Sequence, residues 1–227
     1  MTKIGELISN ISRYGSSKLY MYSYVQKPGV NNVLEFSVDE NENLNVVAKI
    51  EVFDRQYWDN YELNSSAKLI KSIETYRFSQ QDLIMNMSVI ILSTLCYNKL
   101  PMVPEQTVPT NVNTDKAVNV IYQIANSMLQ LSDKDLANIV RYDDNSIENM
   151  LIKKASECVI SEEIKPASVL IENIERQAKD VKNRLNSVKD IWKAMNNSQT
   201  KDEYKKASKK WDELFIEELD KKSSRKA

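Results

Sequence analysis

The stretch PASVLIENIERQAKDVKNRLNSVKDIWKAM, Pro166 to Met195, carries the cleanest periodicity in the chain. Ile171, Ile174, Ala178, Val181, Leu185, Val188, Trp192 and Met195 recur at alternating gaps of three and four. That spacing averages about 3.5 residues per turn and keeps one narrow apolar stripe aimed at a partner helix. The positions between are polar, among them Glu172, Glu175, Arg176, Lys179, Lys182 and Lys189. Glu175 precedes Lys179 by four residues, the favourable order for a helical ion pair. Pro166 suits the first turn, where the amide hydrogen it lacks would have no partner. The spacing predicts one long helix ending near Asn196-Asn197.

A second helix is expected immediately downstream. Thr200-Lys201-Asp202-Glu203 has the hydroxyl and carboxylate spacing of a capping box. Tyr204, Ala207, Trp211, Leu214 and Phe215 then recur at helical spacing toward Lys222. The link from Asn197 to Gln199 is short, which predicts an antiparallel helical hairpin. The longer helix offers more apolar positions than the shorter one can cover. The seam of Ile171, Ile174, Ala178, Val181, Leu185, Val188 and Trp192 is therefore the expected interaction site, for a protein partner or for self-association. The alternative is that its surplus docks on the protein's own body.

Composition narrows the classes. A hydrophobic content of 42% over 227 residues is enough for a real core, in one domain with an appendage or in two small domains. A net charge of −1 gives no global attraction to nucleic acid or anionic lipid. The charge is uneven: residues 165–227 hold 16 Lys/Arg against 11 Asp/Glu, and residues 1–164 hold 15 against 21. Lys221 to Lys226 forms a short basic tail. The two cysteines, Cys96 and Cys158, stand apart in apolar contexts. They read as core residues of a reducing, cytoplasmic protein. The N-terminus lacks a basic region followed by an apolar run, so no secretory signal is expected. Leu83 to Leu95 is the most apolar run, but polar residues interrupt it and it falls short of the ~20 residues a span needs. No membrane partner is expected. Three glycines and five prolines favour helix. Abundant Asn, Lys, Ile and Tyr fit an AT-rich genome, as many viruses and some microbes have.

The N-terminal region reads differently. Residues 3–12 form an amphipathic helix, with Ile4, Leu7, Ile8 and Ile11 on one face and Gly15 beyond its end. Three stretches then alternate with period two: Lys18 to Gln26, Asn32 to Val38 and Asn43 to Phe53. Lys27-Pro28-Gly29-Val30 and Asp39-Glu40-Asn41-Glu42 are turns of hairpin length. An antiparallel three-strand meander results, which needs a helix over its apolar face. From Asn60 the pattern is helical. Asn64-Ser65-Ser66 starts a helix with Leu69, Ile70, Ile73 and Tyr76; Ser79-Gln80-Gln81-Asp82 opens another, to about Tyr97. Pro101, Pro104 and Pro109 mark a linker at 99–113. Helices starting at Thr114, Ser132 and Asp144 complete the middle.

The chemistry is mostly exclusion. The chain has no histidine, so no Ser–His or Cys–His pair and no imidazole metal ligand. Two separated cysteines make no zinc cluster. No glycine-rich phosphate loop or Gly-x-Ser-x-Gly turn is present. Asp133 with Asp135, Asp143-Asp144 and Glu162-Glu163 could hold magnesium, but acids at helix starts are expected for capping alone. Tyr20, Tyr22 and Tyr24 share one strand face and could stack bases, with Lys205, Lys206, Lys209 and Lys210 supplying a salt-dependent attraction. The other reading is that they cover a packed sheet face.

The expected fold is α+β, mainly α: a small N-terminal antiparallel three-strand meander packed on a helical bundle, ending in a long C-terminal helical hairpin. The expected units are residues 1–60, 61–160 and 161–227. The expected function is a non-catalytic interaction or assembly protein, a subunit of a larger viral or nucleoprotein complex, without cofactor or metal. The alternative is a single-stranded nucleic-acid-binding protein.

Overall fold

The computed structural model describes residues 1–21, 27–59, 62–79, 82–95, 101–105, 107–141 and 144–223. Helix outweighs strand, 53% against 21%, and the sheet is antiparallel. Helix α1 spans Lys3–Tyr14; Thr2 caps it by accepting from the Gly5 amide, and Gly15 ends it at φ 69°. Only glycine adopts that left-handed conformation without cost. Its stripe of Ile4, Leu7, Ile8 and Ile11 is fully buried.

Strands β1 (Ser16–Met21), β2 (Val30–Val38) and β3 (Leu44–Phe53) pair antiparallel in sequence order. The residues of the expected first strand from 22 to 26, Tyr22 and Tyr24 among them, lie outside the described residues. The β2–β3 turn is closed by the Asp39 carboxylate, which accepts from the amides of Asn41 and Asn43, both at 2.9 Å. Those bonds, the one from Asn43 first, hold the Asp39 carboxyl below its ordinary range. Gly29 is required at the other turn: φ is 82°, and a Cβ there would meet the Phe53 carbonyl oxygen at 2.6 Å.

The sheet has more strands than expected. A two-residue ladder of β4 (Trp58–Asp59) and β5 (Glu62–Leu63) stands beside it, and β6 (Leu69–Phe78) and β7 (Met102–Val103) extend it to the order β6-β3-β2-β1-β7. Two expectations are corrected here. The helix starting at Asn64 is the strand β6, and the proline-marked linker contributes β7, which pairs with β1 through Lys18–Val103 and Leu19–Met102. The β6 misreading has a physical cause. The pairing with β3 skips Ile70 and Thr75, one β-bulge each. A bulge adds one residue to a strand, so Ile73 and Tyr76 reach the same face although they are three apart. Three-residue spacing in a strand then imitates a helix.

Helices α2 (Leu83–Leu95), α3 (Asp115–Met128), α4 (Asp133–Arg141), α5 (Asp144–Ser156), α6 (Ala167–Asn196) and α7 (Lys201–Ser223) make the other layer. Leu19, Leu34, Phe36 and Val46 project from the sheet into the same apolar core as α1 to α6 and Trp211 of α7. That core takes residues from all three expected units. The Thr200 box forms as read: Thr200 Oγ1 accepts from the Glu203 amide, and the Glu203 carboxylate accepts from Gln199 and Thr200. Helix α7 lies against α6, with the Trp192 and Trp211 rings 4.7 Å apart. The Ser79 start forms likewise, its amide and hydroxyl both donating to Asp82.

Candidate interaction surface

The seam that the sequence offers for partners is closed by its own chain. Ile174, Ala178, Val181, Leu185 and Val188 are at most 2% exposed, and Ile171 and Trp192 pack half-buried against the same core. Helix α6 lies against α1, α3, α4 and α7, and touches α2. Polar ties hold it there. The amide and hydroxyl of Thr2 donate to Glu175 at 2.6 and 2.8 Å, and Gln177 donates to the Asn126 carbonyl. Arg184 donates to Asp133 and to the Leu131 carbonyl. The expected free edge is thus corrected: five helices contact α6, where the sequence shows only the next one.

The tyrosine face also has another use. Tyr20 is 5% exposed and packs against Val33, Phe53 and Trp58, on the sheet face turned away from the helices. Tyr57 covers the ring at 5.4 Å and stacks on Phe53 at 4.0 Å. The phenol hydroxyl donates to Glu51, as does Lys18 Nζ, both at 2.8 Å. Lys49 donates to both oxygens of Glu35 at 2.7 Å. Burial, then the Glu51 charge, pushes the Tyr20 phenol far above its ordinary range. Desolvation alone would lower the Lys18 ammonium, but the hydrogen bond and charge of Glu51, with Glu105 and Glu35, outweigh it and raise it. These charges are buried, paired and mutually satisfied, the condition under which a sheet face tolerates them. Lys205, Lys206, Lys209 and Lys210 are exposed on α7, interleaved with Asp202, Glu203, Asp212 and Glu213. Helix α7 belongs to the layer on the other side of the sheet, so the structure does not bring these lysines together with Tyr20.

Three of the candidate carboxylates are likewise engaged. Asp133 holds Arg184, and Asp135 holds Lys154 at 2.9 Å and caps α4 through Ser132. Glu163 pairs with Lys165. Asp143, Cys96 and the side chain of Asp144 lie outside what the structure describes. Among the described residues no three His, Cys, Asp or Glu side chains converge as for a metal ion. No helix among them is long and apolar enough to cross a membrane.

What stands uncovered is β6, an edge strand. Residues 69–77 are all exposed. Leu69 is 50% exposed, Ile70 66%, Ile73 38% and Tyr76 56%. Its register on β3 assigns two faces. Ile73, Tyr76 and Phe78 lie opposite Ile50, Ala48 and Val46, and Val46 belongs to the helix-facing core. Leu69, Ser72, Glu74 and Arg77 lie opposite Phe53, Glu51, Lys49 and Val47, on the other face. Glu74 and Arg77 hold each other by two hydrogen bonds, at 3.1 and 2.9 Å. The helices cover the sheet at the Val46 and Phe36 end, whereas Ile50 and Val52 remain half-exposed beside β6.

No family model matches this chain, and neither the curated proteins nor the solved structures give a match. Sequence reasoning missed β6 as a surface because it read the stretch as a helix. The signal that could have found it is the strand-favouring run Ile73, Thr75, Tyr76 and Phe78, with no proline to block an edge.

Proposed function

We propose that this chain is a non-catalytic interaction protein that joins a larger assembly, and that it does so through the β6 end of its sheet. One observation carries this reading: a ten-residue edge strand keeps four large apolar side chains in the open. A sheet edge presents unpaired backbone donors and acceptors, and natural proteins normally blunt such edges with proline, inward charges or short strands. A long edge left apolar is a place for another strand to add, with backbone hydrogen bonds giving affinity and alternate side chains giving selectivity. The C-terminal helical pair, whose seam is spent on the core, serves in this reading to brace the body that carries the edge.

The test compares full-length chain with the Ile73→Lys/Tyr76→Lys variant in affinity capture from the native host, at matched expression. Proteins retained by the first and lost by the second support the reading. Equal retention of every partner by both would end it. Nucleic-acid binding is the second reading, favoured by the exposure of the four α7 lysines. Fluorescence anisotropy with a single-stranded oligonucleotide at two salt concentrations checks it. Binding through phosphates weakens steeply as salt rises, and no binding at low salt removes it.

A further inference from the structure

The partner strand that best fits β6 is β6 itself. We propose that two copies of this chain pair their β6 strands antiparallel about a two-fold axis normal to the sheet, making one continuous sheet of ten strands from two of five. This rests on the reading of β6 as the docking edge and goes further by naming the occupant.

The stretch Ile73-Glu74-Thr75-Tyr76-Arg77-Phe78 is complementary to itself when read in reverse. Set antiparallel with Thr75 of one copy opposite Tyr76 of the other, Glu74 falls opposite Arg77 and Ile73 opposite Phe78. Each pair occurs twice by symmetry, as an isologous interface requires. The matches are apolar with apolar, acid with base, and β-branched with aromatic. All three are favourable cross-strand pairs, whereas like charges directly opposite are not.

Faces agree as well as letters. A one-residue slip would exchange the two faces of a strand. In the native pairing with β3, Ile73 and Phe78 lie on the helix-facing side and Glu74 and Arg77 on the other. The two-fold keeps helix-facing sides together, so the Ile73–Phe78 and Glu74–Arg77 pairs each join residues of the same face. The half-exposed strip of Ile50, Ile73 and Tyr76 in one copy then abuts the same strip in the other. The extra residue of the bulge, Thr75, sits beside the axis in both copies, so the irregularity is shared symmetrically. The ion pair that Glu74 and Arg77 make within one chain is exposed at both ends, 41% and 60%, and little is lost when it is exchanged for two between chains.

Light scattering and sedimentation velocity on the full chain, across a concentration series, should give twice the chain mass. Glu74→Arg and Arg77→Glu, made singly, set like charges opposite each other twice, and each should weaken self-association at least about tenfold. Two rescues follow from the register alone. Mixing the two single variants sets a chain with two basic residues at these positions against one with two acidic residues, and a one-to-one heterodimer should form. The double variant, Glu74→Arg with Arg77→Glu, restores opposite charges and should recover the homodimer. Circular dichroism confirms that each variant folds; if a single variant does not, the double variant decides alone. A chain that stays monomeric up to millimolar concentration overturns the proposal. So does a dimer indifferent to both single changes, or one that neither mixing nor the double variant restores. A monomer whose cellular partners still depend on Ile73 and Tyr76 would sink this inference and leave the partner-binding reading standing.

Discussion

Glu51 shows how a single residue can mislead a pattern reading. Within the alternation of β3 it counts as an outward, solvated acid, yet it is 1% exposed, under the cover that Tyr57 and Trp58 place over Tyr20. Nothing local in the sequence reveals that cover, because it arrives from beyond the end of the strand. Removing one partner from a buried ion pair leaves the other charge uncompensated, at a cost of about 3–5 kcal/mol. Lys18→Met should therefore destabilise the chain by about that amount in urea unfolding, more than either lysine-to-methionine change at the exposed Lys205 or Lys206. Alkali offers a second check. Tyr20 keeps its proton in the folded chain far above the 10.0 of a free phenol, through burial first and the Glu51 charge second. Lys18 also holds its proton above its ordinary 10.5. A raised folded pKa gives stability that is whole below the unfolded value and is lost as pH rises past it. Unfolding free energy should fall from about pH 10 upward, and Tyr20→Phe should flatten that fall.

Elements were readable where local rules decide them and unreadable where distant chain does. The stripe of α1, the start of α2 and the box at Thr200 formed as their residues imply, since each depends on neighbours within a few positions. Strand β6 did not, because its two bulges break the period that marks a strand. The seam of α6 was found almost residue for residue, with Leu170 as the buried member it lacked. Its cover was not, because α1, α3 and α4 are remote in sequence. Burial also changes what a substitution there reports. Leu185 is fully buried, so Leu185→Ala should cost about 2–5 kcal/mol in thermal or urea unfolding. It should leave the association state of the folded fraction unchanged in light scattering. An altered association state with unchanged stability would return the seam to the surface.

At the scale of the molecule, the expected units share one interior. Ile4 and Leu170, Leu34 and Val118, Leu136 and Trp211 all belong to it. Gly5 lies at the same fastening: a Cβ there would strike the Glu175 carboxylate, which would have to swing off its bonds to Thr2. A chain ending at Lys165 should fail to unfold cooperatively and should show little amide protection in α1, measured by hydrogen exchange. The same fastening bears on synthesis. Helix α1 emerges from the ribosome about 160 residues ahead of α6, so the face that α6 covers waits on a much later stretch of chain. That delay is when a chaperone has an apolar face to hold.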